Sequence, residues 1–248
     1  MSCNKNTIDY GVIEKVGSDQ ALLKINYVSA YANNRSVAFK INDKRVSNVV
    51  TWRTPFPGGG YNTGGDSRPD FLAVSPGNVK LSVILPFKKD NGMDSVELYT
   101  TNLQLLAGKS YVAHITDTSA NTKTFLTEES FVRPDTAYSR YRFVNLMPNV
   151  SAIDLYYGNS ATDQTKDTLL AGNINFLNIS NEIKVRSGQS KTWKIRSAGA
   201  AITSATIIAS YTSSSLFLNQ RVYTAFACGY SGKTANAQKP YLSFFLIR

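Results

Sequence analysis

One histidine and two cysteines in 248 residues leave little material for reactive chemistry. Zinc and copper sites draw on clustered imidazoles and thiolates, so the sequence predicts no metal site and no cofactor. A Ser-His-Asp device would have to use His114, and no Gly-x-Ser-x-Gly elbow accompanies it. Asp117 stands three positions further on, and odd separation along a strand sends two side chains to opposite faces. His114 therefore reads as a structural or surface residue. Asp66 and Asp70 flank Ser67-Arg68-Pro69, but calcium needs several oxygens close together, and the intervening arginine argues against such a loop. Glu128, Glu129, Asp94 and Glu97 are carboxylates that only a fold could pair for glycoside hydrolysis. The expectation is that the chain is not an enzyme.

Acidic residues are scarce too: 17 Asp and Glu face 27 Lys and Arg, a formal net charge of +10. Such a balance attracts anions at long range. The basic residues are scattered, however, and the densest groupings, Lys40 to Arg45 and Lys184 to Arg196, alternate with apolar residues as the solvent face of a strand does. No nucleic-acid partner is expected. Nor does any apolar run approach the ~18 to 20 residues of a membrane-spanning helix, so membrane attachment would come from lipid.

The two cysteines keep different company. Cys228 ends the alternating run Tyr223-Thr224-Ala225-Phe226-Ala227, where a free thiol behaves as a small buried hydrophobe. Cys3 lies in Met1-Ser2-Cys3-Asn4-Lys5-Asn6. This resembles the mature start of a bacterial lipoprotein, which requires that a signal segment has been trimmed. The resemblance implies lipid attachment at Cys3, a tether over residues 1–20, and a place in the cell envelope at the outer membrane or extracellular surface.

What the sequence has in abundance is strand pattern. Leu23, Ile25 and Tyr27 alternate with Lys24 and Asn26; Val37, Phe39 and Ile41 with Ala38 and Lys40; Val79, Leu81 and Val83 with Lys80 and Ser82. Ile183, Val185, Trp193 and Ile195 continue the pattern among lysines. Turn chemistry separates these runs at Asn42-Asp43, Ser75-Pro76-Gly77-Asn78, Ala107-Gly108-Lys109 and Ser187-Gly188. No long amphipathic helix is predicted.

Two segments recur in order. Val37 to Asp43 parallels Ile153 to Asn159, and Leu106 to Ala113 parallels Leu218 to Ala225. A spacing of a little over a hundred residues matches one sandwich, so the prediction is all-β, with two tandem immunoglobulin-like β-sandwich domains at 21–134 and 135–248 and a separate core in each. The junction falls near Arg133-Pro134-Asp135-Thr136.

At these residues the chain resembles a bacterial family, domain of unknown function 4397. Arg142-Phe143-Val144-Asn145-Leu146-Met147-Pro148-Asn149 followed by Ile153 to Asn159 looks like that family's opening, and Leu218 to Gly229 like its turn into a Tyr-Thr strand. In the first half Ser29-Ala30-Tyr31-Ala32 replaces the proline turn, and an insertion lengthens the middle. The resemblance implies exported immunoglobulin-like domains, often lipoproteins of the Bacteroidetes, with no known activity.

That insertion, Trp52 to Phe71, is the one departure from strand and turn. Aromatic faces in a Gly- and Pro-rich frame could stack on a sugar ring or anchor a protein, whereas the alternative is a tolerated loop pinned by its own rings. The candidate ligand-binding residues are Trp52, Phe56, Tyr61, Arg68 and Phe71. The functional expectation is a non-catalytic binding or scaffolding module for a glycan or envelope protein. A structural subunit of a pilin-like or adhesive assembly is the alternative.

Overall fold

The computed structural model describes residues 17–60, 68–86, 96–158, 164, 166–188, 191–212 and 218–248. The chain is all-β and forms two tandem sandwiches. The first uses β1 (Ala21–Tyr27), β2 (Ala38–Ile41), β3 (Lys44–Arg45), β4 (Thr54–Phe56), β5 (Leu72–Val74), β6 (Gly77–Leu85), β7 (Val96–Leu105), β8 (Ser110–Thr116) and β9 (Lys123–Glu129). The second uses β10 (Tyr138–Asn145), β11 (Ala152–Gly158), β12 (Thr168–Asn175), β13 (Ile183–Arg186), β14 (Thr192–Ser197), β15 (Ala209–Thr212), β16 (Val222–Cys228) and β17 (Tyr241–Leu246). Among the described residues the helical turns are two three-residue 3-10 segments, Ser119–Asn121 and Ser204–Thr206.

Both sandwiches have the same strand order. The inner sheets run β4-β1-β8-β9 and β13-β10-β16-β17, and the outer sheets β3-β2-β6-β7 and β12-β11-β14-β15. In each inner sheet the first strand pairs in parallel with the late one, β1 with β8 and β10 with β16, while every other pairing is antiparallel. The recurring sequence segments occupy matching places. The 37–43 and 153–159 segments begin on β2 and β11, and the 106–113 and 218–225 segments enter β8 and β16. Asn42 and Asp43 form the β2-β3 turn at φ 48° and 65°, the left-handed pair that a two-residue hairpin demands and that Asn and Asp tolerate.

Alternation places Leu23, Ile25 and Tyr27 against Phe39, Leu81 and Val83 in the first core. In the second, Trp193 lies among Tyr157 (4.7 Å between ring centroids), Tyr141 (4.8 Å) and Phe244 (5.1 Å). The expected separation into two cores needs correction. The first apolar cluster continues into Val144, Leu146, Val222, Phe226, Phe245 and Ile247 of the second sandwich. The inner sheets pack face to face, so both faces of their central strands are covered; every residue of β8 and of β16 is buried. Strands buried on both faces lose the polar-out signal that half-exposed strands carry.

Candidate functional site

The insertion leaves from the middle of one edge. β4 pairs with Ile25 to Tyr27 of β1 and β5 with Ala21 to Leu23, so the two pieces form one interrupted edge, and the chain leaves it after Phe56 and rejoins it at Leu72, opposite Lys24. Trp52 is 5% exposed, and its ring is covered by the Arg53 guanidinium, 4.1 Å from the indole and 3.9 Å from the ring of Tyr241 on the second sandwich. Trp52 thus helps pin the insertion to the neighbouring sandwich and offers no open platform. Phe56 is half-buried, with its ring 6.1 Å from that of Phe39. Tyr61 lies outside the described residues, as do Cys3, Asp66 and Asp94.

Arg68 and Phe71 are brought together over the buried Lys24. The Lys24 ammonium donates to the Arg68 carbonyl (3.4 Å) and lies 5.2 Å from the Phe71 ring and 5.4 Å from that of Phe245. Phe71 meets Phe131 edge to face (5.5 Å, 80°). Beside them is a hollow of about 320 Å³, lined by Leu22, Pro69, Phe71, Phe131, Ile247 and Arg248.

Below this hollow the seam between the inner sheets holds a polar chain. The Asn26 amide donates to His114 Nδ1 (3.0 Å), which fixes the proton on Nε2, and Nε2 faces Thr127 Oγ1 at 3.2 Å. Thr127 donates to Glu129 Oε1 (2.9 Å). Arg142 (2.5 Å) and Thr224 (3.3 Å) of the second sandwich donate to Glu129 Oε2. Burial and, after it, the Arg142 charge push the His114 imidazole down to about 3. Burial lowers Lys24 to about 8, against the opposing pull of Asp70 and Glu129. Thr116 Oγ1 donating to Leu146 O (2.7 Å) and Tyr230 OH donating to Asp117 (2.8 Å) extend the seam.

Of the carboxylates left open by the sequence, the three that are described are engaged, Asp94 lying outside the described residues. Glu129 is saturated as above, Glu128 pairs with Lys109 (2.7 Å) and Glu97 with Lys80 (3.5 Å). Among the described residues no group of three or more His, Cys, Asp or Glu is placed to hold a metal. Cys228 is free and buried, and desolvation raises its thiol to about 12. No helix among the described residues is long and apolar enough to cross a membrane.

Part of the Lys184 to Arg196 grouping departs from the expected solvent face. Lys184 and Arg186 are exposed, but Lys194 and Arg196 are fully buried on the outer side of β14. Lys194 Nζ donates to Asp167 (2.6 Å) and to Gln164 (3.0 Å), and Arg196 Nη2 donates to the same two residues at 2.9 and 2.7 Å. Asp167 reaches them over Gly158, where an added Cβ would stand 1.8 Å from the carboxylate oxygen. The partners come from a segment some thirty residues earlier, so alternation within β14 gives no hint of them.

No family model matches the chain, and no curated protein matches it. Among solved structures it is similar to the family 26 carbohydrate-binding module CBMbc of Eubacterium rectale Amy13K, solved with maltoheptaose, at 11% identity over 90% of this chain and 95% of that one, TM-score 0.26. It is also similar to a putative cell adhesion protein from Bacteroides uniformis (7% identity, 92% and 98% covered, TM-score 0.23) and to the fimbrial anchor protein Mfa2 from Porphyromonas gingivalis (11%, 92% and 99%, TM-score 0.25). Likeness at these scores carries no argument about function.

Proposed function

We propose that the chain is a non-catalytic binding or scaffolding module of the cell surface, tethered by lipid on Cys3, that offers the root of its insertion to a glycan or an envelope protein. The observation that carries this reading is the hollow beside Phe71. It joins half-buried rings to an arginine at the junction of two sandwiches, and concave sites with an apolar lining and a few polar groups are where ligands bind. The seam supports it by holding both walls of the hollow in one rigid frame. His114, buried and fully bonded, and Glu129, fixed by three donors, are held in structural roles.

The test is a panel of immobilised glycans probed with the full chain and with Phe71→Ala. Binding that falls in the variant while the melting temperature holds supports the reading. Turnover of a mixed polysaccharide panel, or binding indifferent to Phe71→Ala, overturns it. A structural subunit is the second reading, favoured by β7, ten residues long, which pairs only with β6 among the described strands. An unpaired edge of that length suits strand addition, and polymers in electron micrographs would favour it.

A further inference from the structure

We propose that the hollow beside Phe71 and a second one next to it form a single surface for an acidic polysaccharide. This rests on the reading of the chain as a binding module and names the class of its ligand. The second hollow, about 280 Å³, is lined by Arg133, Leu218, Asn219, Gln220 and Arg221. The two are neighbours. Phe131 lines one and Arg133 the other, with Val132 between them, while the Val222 amide, next to Arg221, donates to the Arg248 carbonyl (2.8 Å).

The charge of this surface is mainly basic, with Asp70, between the lining residues Pro69 and Phe71, as a half-buried acid beside it. Arg133, Arg221 and Arg248 are exposed, and none forms an ion pair among the described residues. Nearby acids are engaged elsewhere: Glu182 with Arg140 (2.7 Å), Glu129 with Arg142 and Glu128 with Lys109. Asp135 is the one carboxylate on the segment joining β9 to β10, and it too is exposed. Arg248 donates to the Phe131 carbonyl (3.3 Å), which holds its guanidinium at the rim of the first hollow.

Guanidinium forks match carboxylate or sulfate groups. The Asn219 and Gln220 amides suit hydroxyls, and the apolar floor, with Val132 69% and Leu218 50% exposed beside it, suits the C–H face of a sugar ring. Two hollows lined by residues two positions apart, Phe131 and Arg133, fit successive units of a chain better than one small anion. Single-stranded nucleic acid fits less well because base stacking needs open aromatic faces, and Phe71 and Phe131 are half-buried and packed on each other.

The test uses the full chain in calorimetric titrations against polygalacturonate, hyaluronan, neutral dextran and a single-stranded DNA oligomer. The expected result is binding of at least one uronic-acid polymer, weakened by salt and roughly tenfold weaker in the Arg133→Gln/Arg221→Gln double variant. Both side chains are exposed, so the melting temperature should hold, and Arg133→Glu provides a second, charge-reversed variant. Acidic-polymer binding untouched by either variant overturns the proposal, as does preference for DNA over both uronic-acid polymers. Binding of neutral glycans alone, lost in Phe71→Ala, overturns it while leaving the binding-module reading intact. Failure of every glycan overturns it as well and leaves the module reading with an envelope protein as its ligand.

Discussion

Equivalent positions of the two repeats face each other across the seam and carry different chemistry. By strand register, Lys24, Asn26 and His114 of the first sandwich correspond to Arg142, Val144 and Phe226 of the second. One face is largely polar and the other largely apolar. Where a charge is buried it has either an opposite charge, as Glu129 has Arg142, or aromatic rings, as Lys24 has Phe71 and Phe245. The outer sheets differ in the opposite sense. Ser82 of the first stands where the second has the buried Lys194, and the exposed Lys80–Asp43 pair of the first (2.7 Å) has nothing like the enclosure around Asp167. A duplicated backbone fixes which residues point where, while local cover decides what each must be.

The comparison breaks most visibly at Asp167. Asp167→Ala leaves two buried cations without their carboxylate and should cost about 3–5 kcal/mol in urea denaturation. Asp43→Asn, which removes the charge of the exposed pair but keeps a residue that tolerates the positive φ of the turn, should leave the midpoint nearly unmoved; equal losses would refute the contrast. Next comes Trp193→Leu, which writes into the second core the residue of the matching position, Leu81. It should cost roughly 2–3 kcal/mol by leaving a cavity among Tyr141, Tyr157 and Phe244, and a neutral result would mean that the second core repacks freely.

His114→Phe imports the Phe226 of the second repeat. The folded imidazole titrates at about 3 against an ordinary 6.5, so between those values the unfolded chain binds the extra proton. The His114 contribution is complete above about pH 6.5 and is lost towards pH 3, at up to about 1.4 kcal/mol per unit. The variant should lack that acid slope, and an unchanged slope would place the responsible group elsewhere.

Lys24→Met gives a smaller effect over a narrower window. With the folded amine at about 8 and the unfolded one at 10.5, the unfolded chain holds more protons between these values, so the Lys24 contribution to stability rises with pH there. Ionisation of Cys228 and the buried tyrosines acts in the other sense but is common to both proteins. The difference between wild type and variant from pH 8 to 10.5 therefore isolates Lys24; a flat difference would show that Lys24 is better solvated than its cover suggests.

Much of the fold was legible in the sequence because strand alternation and turn chemistry are local. The runs around Leu23, Phe39, Leu81 and Ile195 all lie on strands, and both recurring segments lie at matching places in the two sandwiches. The seam was not legible. Lys24, Asn26 and His114 alternate with apolar residues as a solvent face would, and only a second sheet arriving from more than a hundred residues away turns that face inward. The candidate site was half legible for the same reason. Phe71 does line a hollow and the Arg68 backbone lies near it over Lys24, but Trp52 is closed off by Arg53 and Tyr241, and Arg133, Arg221 and Arg248 come from three distant segments with no shared motif.

The close approach of Asp167 to Gly158 also constrains descent. A methyl group at position 158 would collide with the carboxylate oxygen, so a side chain there is expected to move Asp167 away from its two cations. Any homologue that carries a side chain at 158 is expected to have lost the acid at 167, and with it the reason to keep two cations at 194 and 196.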